Sequence, residues 1–270
     1  MKKLVAFLFL SIAFVSNAQR TMFGGNNNYV VPPPPPFQAP PITSGEVTNG
    51  LLLYFDAGNA SSYSGTGITW NDLSGNNNHG TLRANNSGSL PVFQNGSFAF
   101  NGSTSYVSIV SSVIPNTGSW TLSTWAKMPG GRFTEMINTR DASTLTGFLL
   151  TSSGSDIRAQ INNPGIHQFV FSGNNSQILD DRWHLITITV DASANVMKAY
   201  VDNNYISSSS FTAGSLTGQG NFVIGWDYAR GGGAEYFLGN VATVSVYNYV
   251  LTSSDVTTNF NAVKSRFGLL

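Results

Sequence analysis

The amino-acid sequence predicts an all-β protein, a two-sheet antiparallel β-sandwich that ends in a short C-terminal helix. Two observations lead to this prediction. From residue 50 onward, ten or more short apolar segments are separated by turns rich in Gly, Asn and Ser, which is the pattern of a sandwich or jelly roll. Before residue 250 no segment has the apolar spacing of an amphipathic helix, and the chain has no internal repeat.

The predicted strands are short runs in which apolar, β-branched and aromatic residues alternate or cluster. We expect them at residues 51–55, 97–100, 106–110, 120–128, 148–151, 157–161, 168–171, 183–190, 197–201, 222–226 and 241–247. The clearest alternation runs from Trp120 to Met128, where every second residue falls on one face of the strand. Trp125 falls on the opposite face, and only a bulge would return it to the core.

A helix is expected near the C-terminus, after the last predicted strand. Residues 256–267 carry the helical pattern, and Gly268 would end it. Ser253 or Ser254 is the predicted N-cap, because a serine hydroxyl accepts a hydrogen bond from a free backbone N–H of the first turn.

Charge and composition exclude several classes of function. The 270 residues include 13 Lys and Arg and 13 Asp and Glu, so the chain has no polybasic surface and we expect no nucleic-acid partner. Only 10% of the residues are charged, and polarity comes from Asn, Ser, Thr and Gly. Such surfaces suit neutral hydrogen bonds to sugars, although ordinary surface composition explains them equally well. The chain has no cysteine, which excludes structural disulfides and thiolate zinc sites.

The first residues have the pattern of a signal peptide, predicted over residues 1–18. Lys2 and Lys3 form a positive start, an apolar run follows at residues 4–15, and Ala18 provides a small residue at the cleavage position. We therefore expect export past the inner membrane, to the periplasm, the outer surface or the medium. No transmembrane segment is expected after cleavage.

Residues 19–45 form a predicted linker rich in Gly, Asn and Pro. Five consecutive prolines occupy positions 32–36, and Pro40 and Pro41 follow. Because proline fixes φ and lacks a donor, this run favours polyproline II, a stiff spacer in front of a domain predicted at residues 46–270.

The chain resembles a known family in four pairs of segments that follow the family's order. They lie at residues 50–59 with 69–81, 98–107 with 119–127, 182–191 with 198–202, and 235–255 with 259–269. The resemblance is to the laminin-G-like branch of the concanavalin A-like jelly-roll domains, of the type found in secreted bacterial proteins and phage virion proteins. It implies a sandwich that binds sugars or serves as a structural display domain.

The resemblance leaves a calcium site open. Many family members carry an acidic residue in the last strand where this chain has Ala242, so one oxygen ligand is missing. A hard cation needs several oxygen ligands, and here Asp56, Asp72 or Asp227 could supply them together with backbone carbonyls. We expect no cofactor to be required, with calcium as the one ion that these residues could hold.

Glycoside hydrolysis is the third function that the resemblance raises. The family's hydrolases place two carboxylates across the scissile bond from a Glu-x-Asp-x-x-Glu strand. The three glutamates of this chain, Glu46, Glu135 and Glu235, do not lie in that pattern. We therefore predict that the protein is not an enzyme and has no catalytic residue.

Sugar binding requires an aromatic face for the apolar side of a pyranose and polar groups for its hydroxyls. The best candidates are Trp226, Asp227, Tyr228 and Arg230, which leave a strand into a glycine-rich loop, with Glu235 at the end of that loop. The alternative is that Trp226 belongs to the core and Arg230 pairs with Glu235.

Trp125 is a second aromatic candidate, because it lies on the face opposite Trp120.

From these residues we predict an exported, non-enzymatic binding or adhesion domain that recognises a glycan or polysaccharide at a surface. The alternative is a structural subunit of a virion or an outer-surface assembly, which would bind a protein partner.

Overall fold

The computed structural model describes residues 45–153, 157–163, 166–170, 178–210, 216–228 and 235–269. They belong to the second of two units into which the chain divides, Phe37–Leu270. The predicted signal peptide and almost all of the predicted linker lie outside the described residues.

The described strands are, in chain order, β1 (Leu51–Asp56), β2 (Thr69–Trp70), β3 (Gly80–Ala84), β4 (Val92–Gln94), β5 (Ser97–Asn101), β6 (Ser105–Ile109), β7 (Trp120–Pro129), β8 (Phe133–Asn138), β9 (Gly147–Ser153), β10 (Ile157–Asn163), β11 (Ile166–Val170), β12 (Asp180–Asp191), β13 (Val196–Val201), β14 (Asn204–Ser210), β15 (Phe222–Ile224) and β16 (Leu238–Tyr247). An α-helix, α1 (Ser253–Val263), and a 3-10 helix (Lys264–Phe267) follow.

The strands form two eight-stranded sheets, and every described pairing is antiparallel. Sheet 1 has the order β14-β13-β12-β7-β16-β5-β4, with β1 also paired to β16. Sheet 2 has the order β11-β10-β9-β8-β15-β6-β3-β2. The predicted two-sheet antiparallel β-sandwich with a short C-terminal helix is confirmed.

Five strands were not predicted. Each is too short, too irregular or too polar to show the alternation that marks a strand in the sequence. β2 and β4 have only two and three residues, and β3, with the sequence GTLRA, has a single large apolar residue, Leu82. β8 has a bulge between Glu135 and Ile137 that interrupts the alternation of buried and exposed residues. β14 is rich in serine and lies at the edge of sheet 1, where among the described strands it pairs only with β13. Sequence patterns detect half-buried strands best, so short or polar edge strands escape.

β7 shows how alternation builds the core. Trp120, Leu122 and Ala126 lie in the cluster between the two sheets, as the period of two predicts. β7 pairs with β12 on one side and with β16 on the other, so it has no free edge. The middle of sheet 1 therefore contributes the large side chain of Trp120 to the core.

The C-terminal helix covers the other face of sheet 1. Its N-cap is Thr252 and not the predicted Ser253 or Ser254: the Thr252 hydroxyl accepts from the Asp255 amide at 3.2 Å, and the Asp255 carboxylate accepts from the Thr252 amide at 2.9 Å. This reciprocal pair is a capping box, which satisfies more donors than a lone serine. The chain ends the 3-10 helix at Gly268, with φ of 75°, as predicted.

Trp125 lies beneath this helix and is only 1% exposed. Its ring stacks on Phe260 at 5.6 Å and contacts Phe267 at 4.5 Å between ring centroids. The sequence correctly places Trp125 on the face opposite Trp120, but the helix buries that face, so Trp125 is not available to stack on a sugar in this structure. Ala242 is fully buried in the same cluster, where an acidic side chain would meet apolar neighbours.

The first described residues are tied to this end of the sandwich. The Val47 amide donates to the Asn259 side chain of α1 at 2.8 Å, and the Tyr247 hydroxyl donates to the Val47 carbonyl at 3.1 Å. The Tyr54 hydroxyl donates to the half-buried Glu46 carboxylate. Within the described part of the chain, no helix is long and apolar enough to span a membrane.

Trp70→Ala is expected to lower the free energy of unfolding by about 3–5 kcal/mol, since it removes a large side chain from the core. Trp70 is fully buried, stacks on Phe55 at 4.7 Å and meets Phe98 edge-on at the same distance. Urea unfolding followed by far-UV circular dichroism measures the change. The control Phe133→Ala, at a position 61% exposed, is expected to change stability by less than about 0.5 kcal/mol. Equal losses in both variants would contradict this packing.

Glu46→Gln is expected to weaken the dependence of stability on pH. Burial raises the pKa of Glu46 to about 7, and the hydrogen bond from Tyr54 acts in the opposite direction. The folded state therefore favours the protonated carboxyl. The stability that this preference contributes is complete below the unfolded value near 4.5 and is lost as pH rises through about 7.

Between about pH 5 and about pH 8, the variant should lose on the order of 2 kcal/mol less than the wild type in urea titrations. Asp181→Asn, which replaces a carboxylate whose side chain is 62% exposed, is the control and should follow the wild-type curve. A Glu46→Gln curve that overlays the wild type would contradict the buried-carboxyl account.

Candidate ligand-binding site

The outer face of sheet 2 carries the candidate site. In β6 the residues alternate, so that Val107 and Ile109 enter the core while Tyr106 and Ser108 face outward. In β15, next to β6, Phe222 and Ile224 enter the core and Val223 faces outward. The outward residues of these two strands form the floor of the site.

After β15 the chain turns sharply at Gly225, and the predicted strand ends two residues earlier than expected. Gly225 has a φ of 93°, and a Cβ there would lie 2.6 Å from the Phe100 ring. Only glycine fits both the backbone angle and the space. The turn carries Trp226 and Tyr228 over the outer face of sheet 2.

Aromatic rings form the wall of the site. Measured between ring centroids, Trp226 lies 4.8 Å from Tyr106 and 5.9 Å from Tyr228. Its ring stacks on Tyr236 at a centroid distance of 5.9 Å, with an angle of 7° between the ring planes. A single antiparallel bridge joins Trp226 and Tyr236, so the two ends of the 226–236 segment are held side by side. Trp226, Tyr228 and Tyr106 are half-buried, which leaves part of each side chain exposed to solvent.

These rings border a shallow pocket of about 320 Å³. The rest of its described lining comes from neighbouring strands and loops: Arg83, Ser108, Val110, Asn221 and Val223. Arg83 donates from Nε to the Ser108 hydroxyl at 2.7 Å. The pocket thus combines an aromatic wall with amide, hydroxyl and guanidinium groups, which is the combination that holds a small polar ring with one apolar face.

A buried ion pair lies beside this wall. Asp227 is 1% exposed. Its carboxylate pairs with the Arg140 guanidinium and accepts a hydrogen bond from the side-chain amide of Asn138 at 2.7 Å. The prediction that Asp227 contacts a ligand is therefore corrected, because its carboxylate points into the protein and meets buried donors. Asp227 anchors the segment that presents Trp226 and Tyr228.

Two further carboxyl groups lie near this ion pair. Glu135 is 3% exposed, and burial raises its pKa well above the usual range. The charge of Asp227 and a hydrogen bond with Glu235 act in the same direction, while Arg140 opposes them. Glu235 therefore meets Glu135 and does not line the described pocket. Arg230, the remaining candidate of this segment, lies outside the described residues.

Asp56 and Asp72, the other candidate calcium ligands, serve as hydrogen-bond acceptors elsewhere in the structure. Asp56 accepts from the Arg266 guanidinium and from the Gly58 amide at 2.5 and 2.8 Å. Asp72 accepts from the Tyr54 and Ser74 amides, both at 2.9 Å. Among the described residues no group of three or more His, Asp or Glu side chains is placed to hold a metal ion, and the calcium hypothesis stays a prediction.

Sequence reasoning proposed Trp226 and Tyr228 as site residues but did not name the residues that line the pocket beside them. Tyr106 and Arg83 come from β6 and β3, more than 100 residues earlier in the chain. The available signal was the alternation of β6, which places Tyr106 on the face opposite the core. Arg140 carries no local signal, because its role depends on the approach of Asp227 from a distant segment.

Asp227→Asn is expected to destabilise the protein by about 3–5 kcal/mol, because it leaves the Arg140 charge buried without its carboxylate partner. Arg140→Met should cost a similar amount, and the double variant Arg140→Met/Asp227→Asn should lose less than the sum of the two single losses, because no unpaired charge remains buried. Urea unfolding of the two single variants and the double variant measures the coupling. Arg182→Gln, which breaks an exposed pair with Asp180, is the control and should cost less than about 1 kcal/mol. Additive losses in the double variant would contradict the ion pair.

Solved structures with this fold include binding domains of clostridial toxins. The binding domain of Paraclostridial Mosquitocidal Protein 1 superposes with a TM-score of 0.65 at 17% identity, over 82% of this chain and 56% of that chain. The binding domain of Botulinum neurotoxin DC in complex with rat synaptotagmin II has a TM-score of 0.60 at 14% identity, over 81% and 52% of the two chains. The chain thus spans about half the length of these structures, and identities this low establish the fold alone.

A structure of botulinum neurotoxin type C, a toxin whose cell entry is dependent upon interaction with two ganglioside molecules, gives a TM-score of 0.61 at 13% identity over 80% of this chain and 52% of that chain. No curated protein matches the chain in sequence. Residues 101–257, more than half of the chain, match a laminin G family model described as the concanavalin A-like lectin/glucanases superfamily. The chain therefore belongs to the concanavalin A-like lectin/glucanases superfamily.

Proposed function

We propose that this protein is a non-enzymatic binding domain that recognises a glycan in the pocket bordered by Trp226, Tyr228 and Tyr106. The observation that supports the proposal is the half-exposed aromatic wall on the outer face of sheet 2, next to groups that can hydrogen-bond to hydroxyls. A pyranose places its apolar C–H face on such a ring and its hydroxyls toward the polar lining. The pocket has the volume for about one or two sugar rings.

Comparison with similar folds is consistent with binding. The structurally similar toxin domains are named as binding domains, and one of these toxins interacts with gangliosides, which are glycolipids. The Glu-x-Asp-x-x-Glu pattern of the superfamily's hydrolases is absent from this sequence, which supports a function without catalysis.

A protein partner is the second candidate, as it would be for a structural subunit of a virion or surface assembly. Val110, at the rim of the pocket, is 83% exposed, and such an apolar side chain gains by being covered. One of the similar toxin domains is in complex with the protein synaptotagmin II. The aromatic wall with its polar lining favours the glycan, because a surface used only for assembly is expected to be broader and more uniformly apolar.

The setting of the domain is part of the proposal. The predicted signal peptide would export the protein past the inner membrane, and the predicted proline-rich linker would hold the domain away from its point of attachment. Calcium is not assigned a role in binding at the pocket, since Asp227 is occupied by Arg140 and Asn138.

Trp226→Ala is expected to weaken glycan binding at least about tenfold, or about 1.4 kcal/mol, because it removes the ring on which a pyranose would stack. Tyr228→Ala should have a smaller effect in the same direction. The purified protein is tested on a broad panel of immobilised glycans and polysaccharides, with and without added calcium, and positive ligands are titrated by calorimetry.

Tyr205→Ala is the matched control, since Tyr205 is 55% exposed but lies in β14 of sheet 1. It should bind as the wild type does. If the folded wild-type protein binds nothing on the panel, the glycan proposal fails and the protein-partner candidate takes its place. If binding survives Trp226→Ala, the ligand lies elsewhere on the domain.

A further inference from the structure

Within the described lining of the pocket, Arg83 is the one charged side chain. It lies in β3 directly across from Tyr106 in β6, and Tyr106 contacts Trp226. This pairing brings a guanidinium to the edge of the aromatic wall. The other described polar side chains in the lining, including Ser108, Asn221 and Tyr106, are neutral.

The guanidinium of Arg83 is oriented but exposed. Its Nε–H donates to the Ser108 hydroxyl at 2.7 Å, which ties the inner edge of the group to the sheet. Arg83 is classed among the exposed residues, and in the described part of the chain no carboxylate lies within ion-pair distance of it. Its terminal nitrogens therefore remain available to a ligand, in the planar fork that suits carboxylate and sulfate oxygens.

Two of the acidic side chains near the pocket are buried. Asp227 follows Trp226 in the chain, but its carboxylate is buried and paired with Arg140. Glu135 is also buried, and its raised pKa favours the uncharged form. At the rim, the positive charge of Arg83 reaches the Tyr106 hydroxyl, where it opposes the rise in pKa caused by burial. At the pocket an incoming anion thus meets the exposed guanidinium of Arg83, while the carboxylates of Asp227 and Glu135 are buried.

We propose that the pocket selects acidic sugars, those that carry a carboxylate or a sulfate ester, over neutral ones. The ring of the sugar stacks on Trp226 and its anionic group is held by the Arg83 guanidinium. This inference rests on the proposed glycan-binding function and names the class of ligand for the same pocket. A charge-assisted contact of this kind is stronger than a neutral hydrogen bond, so it decides between sugars of equal shape.

The experiment compares ligands that differ only in charge. Calorimetry measures the Kd of the full-length protein for tetragalacturonate and for the same tetrasaccharide with its carboxylates reduced to alcohols. A second pair, a sulfated galactan tetrasaccharide and its desulfated form, separates the carboxylate from the sulfate. The variants are Arg83→Gln, Arg83→Lys and Trp226→Ala, with Arg182→Gln as the matched control that removes one exposed arginine from sheet 1.

We expect the wild type to bind at least one acidic tetrasaccharide about tenfold more tightly than its neutral partner, with a preference that shrinks at high salt. Arg83→Gln should lose the preference and bind both forms as weakly as the wild type binds the neutral one. Arg83→Lys should keep part of it, because the charge remains but the fork is lost. Arg182→Gln should match the wild type.

The outcomes separate this inference from the function on which it rests. If neutral and acidic forms bind equally and Trp226→Ala abolishes both, glycan binding stands and selection by charge is overturned. A preference that persists in Arg83→Gln also overturns it. If no tetrasaccharide binds and the broad panel is blank, glycan binding fails and the inference fails with it.

Discussion

Every strand of a sandwich has two faces, and side chains must alternate between them. One face of each sheet is buried against the other sheet. In the core, the rings of Trp120 in β7 and Phe148 in β9 meet with a centroid distance of 5.1 Å. The other face must be polar or be covered by something else. The differences between the two sheets of this protein follow from how that second face is covered.

Sheet 1 is covered by a helix, whereas the described cover of the outer face of sheet 2 includes the aromatic side chains of Trp226 and Tyr228. The helix brings Phe260 and Phe267 onto Trp125, so an outward-facing tryptophan becomes a buried one. On sheet 2, Trp226 and Tyr228 directly after Gly225 lie over the outer face, and their side chains stay partly exposed. The same kind of outward-facing aromatic residue therefore has opposite fates, and the covering element decides which one can meet a ligand.

A buried ion pair, as well as packing, holds the chain at Asp227, between Trp226 and Tyr228. Burial of Asp227 and Arg140 is costly for each ion alone, and their pairing with each other, together with the hydrogen bond from the Asn138 side chain to Asp227, offsets that cost. Such a pair contributes little net stability but permits very few alternative positions, because moving either residue leaves a charge without its partner. A fixed aromatic wall loses less entropy on binding than a mobile one. The same pair keeps the Asp227 carboxylate away from the pocket. Arg83 is then the one charged side chain in the described lining of the pocket.

The sequence by itself determined the fold class, the faces of the regular strands and the C-terminal helix, because these depend on local periodicity and turn chemistry. Trp120 and Trp125 were assigned to opposite faces correctly from their spacing alone. Only the tertiary structure decided which outward face is covered, that Tyr106 and Arg83 lie beside Trp226, and that Asp227 belongs to Arg140. Those outcomes depend on contacts between segments some 85 to 145 residues apart, and no local pattern encodes the approach of one distant segment to another.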